Sequence, residues 1–270
     1  MTDGQDLNPV VLRDLVFAEH DGFRPLSLDL HRPARADAVT EPVPLVVFVH
    51  GGGWRLGSRR MFCPTMGNDD PFGRITAAGF AVASVDYRLS GEAVFPAQVD
   101  DVSAAIDWLR AHAAEYGFDA DHLVLWGESA GATLAALLAL RADAAVRGLI
   151  DWYGPSDLTA LAGSLGGLDD PHTREAGWLG HPISTDAARA AAASPVTQVH
   201  AGAPPVLIAH GLDDVAVPPA QSELFARALS DAGVPVELEL VPGAGHMWQG
   251  EVDRIGLLER ALAFARRVTG

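Results

Sequence analysis

The sequence predicts an α/β protein with a doubly wound, mostly parallel sheet flanked by helices. Several apolar runs lack the polar alternation of a half-buried strand, which is typical of strands covered on both faces. Segments with helical spacing separate these runs, and such alternation favours right-handed crossovers between parallel neighbours. With 270 residues, 49% of them hydrophobic, the chain is long enough for one large core. We therefore expect a single domain over residues 1–270.

The predicted strands follow one another along the chain. Residues 11–31 hold two β-rich runs, which the turn signal "HDGF" separates. The later runs are continuously apolar and end in glycine or in other turn residues. These buried strands are expected within residues 44–54, 79–89, 121–135, 146–154, 204–214 and 234–246.

Helices are expected between the strands, where apolar residues recur at helical spacing. In residues 95–117, Pro96 suits the first turn of a long helix and Gly117 suits its end. Another helix opens at Pro218, and residues 251–267 have the pattern of a closing amphipathic helix.

Residues 155–203 interrupt this alternation. They contain no convincing buried strand and are rich in Gly, Ala, Asp and His. A long insertion in a compact domain is usually functional, so we expect this segment to form a lid or a wall of the binding pocket. The alternative is a helical excursion that only packs against the domain.

Charge and composition exclude several classes of function. The net charge of −16 argues against nucleic acid as a partner, because phosphate binding needs clustered Lys and Arg. The chain has no lysine, which excludes a lysine Schiff base, a Ser-Lys pair and a phosphate-loop lysine. The single cysteine, Cys63, cannot form an internal disulfide or a multi-cysteine zinc site, and it is a poor candidate nucleophile.

The sequence also lacks signals for secretion or membrane insertion. Its first residues include early acidic groups and do not show the basic and then apolar pattern of a secretory signal. No apolar run reaches about 18 residues, the length at which a spanning helix is expected. We therefore expect a cytoplasmic protein without a membrane partner.

A pentapeptide within residues 121–135 gives the first indication of chemistry. The stretch "DHLVLWGESAGATLA" runs from an apolar strand through Gly-Glu-Ser-Ala-Gly into small residues that suit a helix. In a G-x-S-x-G elbow, the two glycines relieve the clash around a strained, exposed serine. Ser129 is therefore either a nucleophile on such an elbow or part of an ordinary tight turn. The preceding strand and the following helix favour the nucleophile.

An oxyanion site is expected upstream of Ser129. The stretch "HGGGW" at 50–54 ends a buried strand, and successive glycines let backbone N–H groups approach a developing negative charge. The alternatives are a glycine-rich turn and a phosphate loop, but G-x-G-x-x-G is absent and no lysine would support phosphate. His50, like His210, precedes a glycine at a strand end and is expected to orient its loop by hydrogen bonding.

Catalysis by a serine also needs a base and an acid that orients it. The stretch "HGLDDVAVP" places Asp213 and Asp214 beyond a buried strand, and "PGAGHMW" places His246 in a glycine-flanked loop. Both loops lie at the carboxyl edge of the predicted sheet, where the active sites of open α/β sheets gather. Asp214 could instead cap the helix that opens at Pro218.

Together, these motifs resemble those of a known family. The set "HGGGW", "DYRLSGE", "GESAGA", "HGLDDVAVP" and "GAGH" is similar to that of the hormone-sensitive-lipase-like and related short esterases of the α/β-hydrolase fold. The resemblance extends over about residues 44–268. It implies an eight-stranded sheet and ester hydrolysis through an acyl-enzyme, with no metal or organic cofactor.

The same resemblance assigns roles to individual residues. It makes Ser129 the nucleophile and His246 the base. It makes Asp214 the acid, because the family pattern H-G-x-x-D-x-x-V-P matches the stretch from His210 to Pro218. The implied oxyanion donors are the N–H groups of Gly51, Gly52 and Ala130.

Three departures from the family pattern limit what the resemblance implies about the branch of the family and the structure near the motifs. Only about 45 residues precede "HGGGW", so we expect no long helical N-terminal cap. This makes the chain similar to the compact branch that includes feruloyl-esterase-like and kynurenine-formamidase-like enzymes. The family's "YRLAPE" is "YRLSGE" here, and Ala132 replaces a commoner glycine, which predicts minor crowding below the elbow.

The substrate is less well specified than the chemistry. Side chains in the active-edge loops could line the pocket or could be core residues beneath it: Trp54, Trp152, Tyr153, Met247 and Trp248. The acidic surface favours a small-molecule ester, short-chain or aryl, over lipid-interface substrates. A formamidase-like amidohydrolase with the same triad is the same-fold alternative, and a non-catalytic small-ligand receptor is the alternative from another class. We expect a monomer or a homodimer.

Overall fold

The computed structural model describes residues 10–33, 41–141 and 145–270. Eight strands lie in these ranges. They are β1 Val10–Ala18, β2 Leu26–Arg32, β3 Val43–Val49, β4 Ala81–Val85, β5 Phe118–Glu128, β6 Gly148–Trp152, β7 Val206–Gly211 and β8 Val236–Val241. They form one sheet in the order β1-β2-β4-β3-β5-β6-β7-β8.

The direction of the strands confirms the predicted fold class. Strand β2 is antiparallel to β1 and β4, and every other neighbouring pair in the sheet is parallel. The carboxyl ends of β3, β5, β7 and β8 therefore lie at one edge of the sheet. The predicted motifs follow these four strands, so their loops meet at that edge.

Eight α-helices are described in the same ranges. They are α1 Pro71–Ala77, α2 Ala97–Tyr116, α3 Ala130–Ala139, α4 Leu158–Ser164, α5 Arg174–Leu179, α6 Ala187–Ala192, α7 Ala220–Asp231 and α8 Arg254–Thr269. Helix α1 was not predicted, and it begins at Pro71 after Asp70, whose side chain accepts the N–H of Gly73 at 3.2 Å. No helix in the described ranges is both long and apolar enough to cross a bilayer.

The two faces of the sheet belong to two hydrophobic clusters. Successive side chains of β3 alternate between them, because neighbouring residues of a strand point to opposite faces. Val47 packs in the cluster that includes residues of α2, α3 and α7, and Phe48 packs in the cluster that includes residues of α8. This burial on both faces explains why the strands are continuously apolar in sequence.

Residues 155–203 connect β6 to β7. This segment, which is described throughout, contains α4, α5, α6 and two 3₁₀ turns, and it contains no strand. Its apolar side chains, among them Trp178, join the cluster that includes α2 and α3. Ser156 anchors its start, because its hydroxyl donates to the backbone oxygen of Gln221 in α7 at 2.6 Å.

Candidate active site

Ser129 lies in the sharp turn between the end of β5 and the start of α3. Its backbone has φ 50° and ψ −124°, and its N–H donates to the carbonyl oxygen of Trp152 at 2.8 Å. Such a conformation costs of order 1–3 kcal/mol for a residue with a side chain. The surrounding structure holds the serine hydroxyl in this position, as expected for a nucleophile elbow.

The two glycines of the elbow allow close backbone approach. A Cβ at Gly127 would lie 2.4 Å from the carbonyl oxygen of Gly131, and a Cβ at Gly131 would lie 2.1 Å from that of Val49. Both distances are far below van der Waals contact, and both neighbours are backbone atoms that cannot rotate away. The G-x-S-x-G spacing therefore has a steric cause on each side of Ser129.

A chain of two hydrogen bonds connects Ser129 to His246 and Asp214. The Oγ of Ser129 is 3.0 Å from Nε2 of His246, and Nδ1 of His246 is 2.6 Å from Oδ2 of Asp214. With Asp214 ionised, Nδ1 carries the proton and donates a hydrogen bond to the carboxylate. Nε2 is then the acceptor for the serine hydroxyl. The structure thus brings the three predicted residues together from the ends of β5, β7 and β8.

Asp214 is held as a buried carboxylate. Its Oδ1 accepts the N–H groups of Ala216 and Val217, both at 2.9 Å, and its Oδ2 is 3.2 Å from Nε2 of His210. Burial acts to raise the pKa of Asp214, but the hydrogen bonds from His210 and His246 outweigh it and bring the pKa well below its usual range. The carboxylate therefore stays ionised at neutral pH.

The other candidates near these strands have different surroundings. Asp213 is exposed, so the structure distinguishes Asp214 from its neighbour. Asp214 does not cap α7, whose N-cap is Pro219 and has no side-chain hydrogen bond. His210 is buried, with its Nδ1 2.6 Å from Ser222 Oγ and its Nε2 2.8 Å from Val217 O. These contacts hold the loop that carries Asp214.

His50 has a similar position at the end of β3. Its Nδ1 is 2.7 Å from the carbonyl oxygen of Gly51, and its ring stacks on Tyr87 with the centroids 4.3 Å apart. Burial lowers the pKa of His50 to about 4, so the imidazole is neutral near neutral pH.

Of the three N–H groups predicted as oxyanion donors, one has an acceptor in the structure. The N–H of Gly51 donates to Oε1 of Glu128 at 3.3 Å, so it is not free to donate to an oxyanion while that contact holds. The N–H groups of Gly52 and Gly53 donate to no acceptor among the described residues. Ala130 is the first residue of α3, where an N–H has no partner within the helix. The geometry thus favours Gly52, Gly53 and Ala130.

A cavity of about 340 Å³ opens beside Ser129 and His246, within the size range of small-molecule sites. One part of its wall is apolar and comes from Leu56, Met61, Pro64 and Met247. Two arginines, Arg55 and Arg174, also line it.

Residues 28–229 match the family model BD-FAE, which is three quarters of the chain. The chain belongs to the BD-FAE family. It is 35% identical over 222 residues to the esterase LipQ of Mycobacterium tuberculosis, a match that covers 75% of this chain and 50% of LipQ. It is 30% identical over 229 residues to the probable carboxylic ester hydrolase LipM of the same organism, covering 80% of this chain and 51% of LipM. The chain therefore spans about half the length of these curated relatives.

Solved structures give the same fold. A truncated carbohydrate esterase from gut microbiota superimposes with a TM-score of 0.82 at 25% identity, covering 98% of both chains. An esterase from Pyrobaculum calidifontis superimposes with a TM-score of 0.75 at 26% identity, covering 97% of this chain and 86% of the other. These matches confirm the predicted α/β-hydrolase fold and the resemblance to its esterases.

In this member of the BD-FAE family, most of the predicted aromatic wall is core. Trp152, Tyr153 and Trp248 are fully buried, pack in one cluster with residues of α8, and do not line the cavity. Trp152 is the last residue of β6, Tyr153 follows it, and Trp248 lies in the turn after β8, and all three side chains face the core. Only Met247 of the predicted set lines the cavity. Its carbonyl oxygen is 3.3 Å from Sγ of Cys63, a buried thiol.

Trp54 connects residues 50–54, the oxyanion loop, to the 155–203 segment, and it is not among the residues that line the cavity. Its ring stacks on that of Trp178 in α5, with the centroids 4.3 Å apart and the planes 5° from parallel. The carbonyl oxygen of Trp54 accepts the N–H of Ser90 at 2.7 Å. This hydrogen bond places the "YRLSGE" stretch directly behind the oxyanion loop.

Sequence reasoning missed two further features of the site. Glu128, within the elbow itself, holds Gly51 and accepts the hydroxyl of Tyr153 at 2.9 Å. Burial raises the pKa of Glu128 to about 7. Arg174, in α5, lines the cavity. Its segment was expected to form a lid or pocket wall, but the composition of residues 155–203 does not indicate which residue reaches the cavity.

The predicted crowding at Ala132 has a specific neighbour. A Cβ added to Gly154 would lie 2.7 Å from the Cβ of Ala132. Because residue 154 is glycine, the methyl group of Ala132 meets no side chain from that position.

Proposed function

We propose that this chain is a serine carboxylic-ester hydrolase that acts on short-chain or aryl esters through an acyl-enzyme. The observation that carries the proposal is the hydrogen-bonded series from Ser129 Oγ through His246 to Asp214, at 3.0 and 2.6 Å. It stands on a strained elbow beside a cavity, which is the arrangement that acyl transfer to a serine requires.

In the first half of the reaction, Nε2 of His246 removes the proton of Ser129 as Oγ attacks the ester carbonyl. Asp214 stabilises the imidazolium that forms, and its own contacts keep it ionised. The N–H groups of Gly52, Gly53 and Ala130 donate to the oxyanion of the tetrahedral intermediate. His246 then returns the proton to the leaving alcohol.

In the second half, water replaces the alcohol. His246 takes a proton from the water as it attacks the acyl-enzyme, the same donors stabilise the second oxyanion, and Ser129 recovers its proton. Loss of one oxyanion donor typically costs roughly 10²–10³ in turnover.

The size of the cavity and the named activities of relatives support a small ester as substrate. A space of about 340 Å³ accommodates a short acyl or aryl group better than a long lipid chain. Similar proteins are named as esterases or carboxylic ester hydrolases, which favours esters over the amides that the same residues could cleave. We further propose that residues 155–203 act as a pocket wall, since Arg174 from this segment lines the cavity.

The proposed function is tested with aryl esters of increasing acyl length, a feruloyl ester and a formylated aromatic amide. We expect the highest kcat/KM for short acyl groups or the aryl ester. Turnover that increases with acyl length and jumps above the micellar limit would contradict the substrate class, and faster cleavage of the amide would favour the amidohydrolase.

The matched variants are Ser129→Ala and, as a control, Ser230→Ala at an exposed position of α7. We expect Ser129→Ala to lower kcat by roughly 10⁴-fold or more and Ser230→Ala to leave it unchanged. Residual activity near that of the wild type in Ser129→Ala would show that the central assignment is wrong.

A further inference from the structure

The cavity has a charged side that ester hydrolysis does not use. Arg55 follows the oxyanion loop, and Arg174 is the first residue of α5. Both line the same cavity as Ser129 and His246. The triad and the backbone donors complete the chemistry without a cationic side chain, so the two guanidinium groups need another explanation.

Arg174 is fixed beside the reacting centre by the oxyanion loop. A Cβ on Gly53 would lie 2.7 Å from Cδ of Arg174, so the stem of the arginine packs directly against this glycine. The side chain is 35% exposed, which leaves its guanidinium open to a ligand. Packing of the stem reduces the entropy that would be lost when the head group binds.

Arg174 has one acidic neighbour, at the outer limit of an ion pair, and Arg55 forms no ion pair among the described residues. Nε of Arg174 is 4.0 Å from Glu175 Oε1, and its Nη2 is 3.5 Å from the carbonyl oxygen of Ala216. Both contacts are long. In the part of the chain that the structure describes, the guanidinium of Arg55 has no hydrogen bond or ion pair. The chain has 35 acidic and 19 basic residues, so the lack of close partners here is not due to a shortage of carboxylates.

The remaining wall of the cavity does not oppose an anion. Glu128 is the one acidic residue that lines it among the described residues. Its two oxygens are occupied by the Gly51 N–H and the Tyr153 hydroxyl. Burial also raises the pKa of Glu128 to about 7, which reduces its negative charge near neutral pH.

We propose that Arg174, assisted by Arg55, makes the cavity selective for esters that carry a second, ionised carboxylate. The guanidinium fork matches a carboxylate in two parallel hydrogen bonds, and such charge-assisted pairs are the strong ones. The apolar wall receives the carbon skeleton of the substrate. This inference rests on the proposed function and adds its substrate class: monoesters of dicarboxylic acids, and esters whose alcohol part bears a carboxylate.

Two matched pairs of substrates test this selectivity. The first is 4-nitrophenyl hydrogen adipate against 4-nitrophenyl methyl adipate, with the charge on the acyl part. The second is 4-acetoxybenzoate against its methyl ester, with the charge on the alcohol part. For at least one pair, after subtraction of spontaneous hydrolysis, we expect the carboxylate to be favoured in kcat/KM by about 10-fold or more.

Variants of Arg174 separate recognition of charge from structural support. Arg174→Gln is expected to lower the ratio of the two kcat/KM values by about 10-fold, mainly through KM, and Arg174→Lys is expected to restore part of it. Arg227→Gln, at an exposed position of α7, is the matched control and should leave the ratio unchanged. An equal loss on both members of each pair would mean that Arg174 only supports the loop, and it would overturn the proposal.

A binding measurement keeps this inference separate from the proposed function. Ser129→Ala protein is titrated calorimetrically with intact 4-acetoxybenzoate and with its methyl ester, with and without Arg174→Gln. Tighter binding of the carboxylate that is lost in the double variant supports the inference even if no ester is hydrolysed. Equal binding of the two esters overturns it, whereas activity on neutral esters would leave the proposed function intact.

Discussion

Glu128 is a buried carboxyl group next to the nucleophile, and its replacement by glutamine tests the electrostatics of the site. Its Oε1 accepts the N–H of Gly51, and its Oε2 accepts the hydroxyl of Tyr153. Glutamine keeps both contacts, because its oxygen accepts from Gly51 and its amide group donates to the oxygen of Tyr153. Glu128→Gln therefore imitates the protonated acid at every pH.

The expected magnitude follows from the pKa of this carboxyl. Burial raises the pKa of Glu128 from 4.5 to about 7, against the opposing effect of its hydrogen bonds with Tyr153 and Gly51. The folded protein therefore binds more protons than the unfolded chain between these values, and wild-type stability falls as the pH rises through this window. The shift corresponds to roughly 3 kcal/mol. We expect the free energy of unfolding of Glu128→Gln, measured relative to that of the wild type, to increase by this amount as the pH rises from 4.5 to 8.

Urea unfolding of both proteins across this pH range measures the difference. Burial also lowers the pKa of His50 to about 4 and raises that of Asp151 to about 6, but both groups are present in both proteins and cancel in the comparison. Glu259→Gln, at an exposed position of α8, is the matched control and should show no such trend. A difference between wild type and Glu128→Gln that does not vary with pH would refute the reasoning.

Two further substitutions test the site and its support. Asp214→Asn should lower kcat on an aryl ester by roughly 10³–10⁴-fold, because an amide no longer selects the His246 tautomer whose Nε2 accepts a proton; a wild-type kcat would contradict the assigned acid. Trp178→Ala should lower the free energy of unfolding in urea by roughly 3–5 kcal/mol, because it removes a fully buried side chain, including its stack on Trp54, and leaves a cavity. Trp178→Phe, which keeps a ring, should lose less, and equal losses would argue against the stack.

The fold was predictable because burial on both faces leaves a direct record in the sequence. Strands such as β3 are continuously apolar. The glycines at 127 and 131 lie where an added Cβ would clash with neighbouring backbone atoms, so their spacing marks the elbow. The order of serine, acid and histidine along the chain also predicts that the three side chains lie close together. Parallel strands end at one edge, so Ser129, Asp214 and His246 had to come together there.

The wall of the cavity was not predictable in the same way. Position in an active-edge loop does not reveal whether a side chain points into the cavity or under it, and Trp152 and Trp248 point under it. Three successive glycines look equivalent in sequence, and only the contact from Glu128 shows that the N–H of Gly51 is taken. Arg174 reaches the loop from a helix more than a hundred residues away, and no local pattern records that contact.

The space beneath the elbow couples residue 154 to two of its neighbours. A Cβ added at Gly154 would lie 2.7 Å from the Cβ of Ala132, and 2.8 and 2.9 Å from the two carboxylate oxygens of Asp151. Replacing Ala132 with glycine would therefore remove only one of the two clashes. A side chain at 154 requires changes at both 132 and 151, so three residues that take no part in the proposed chemistry constrain one another's evolution directly beneath the nucleophile.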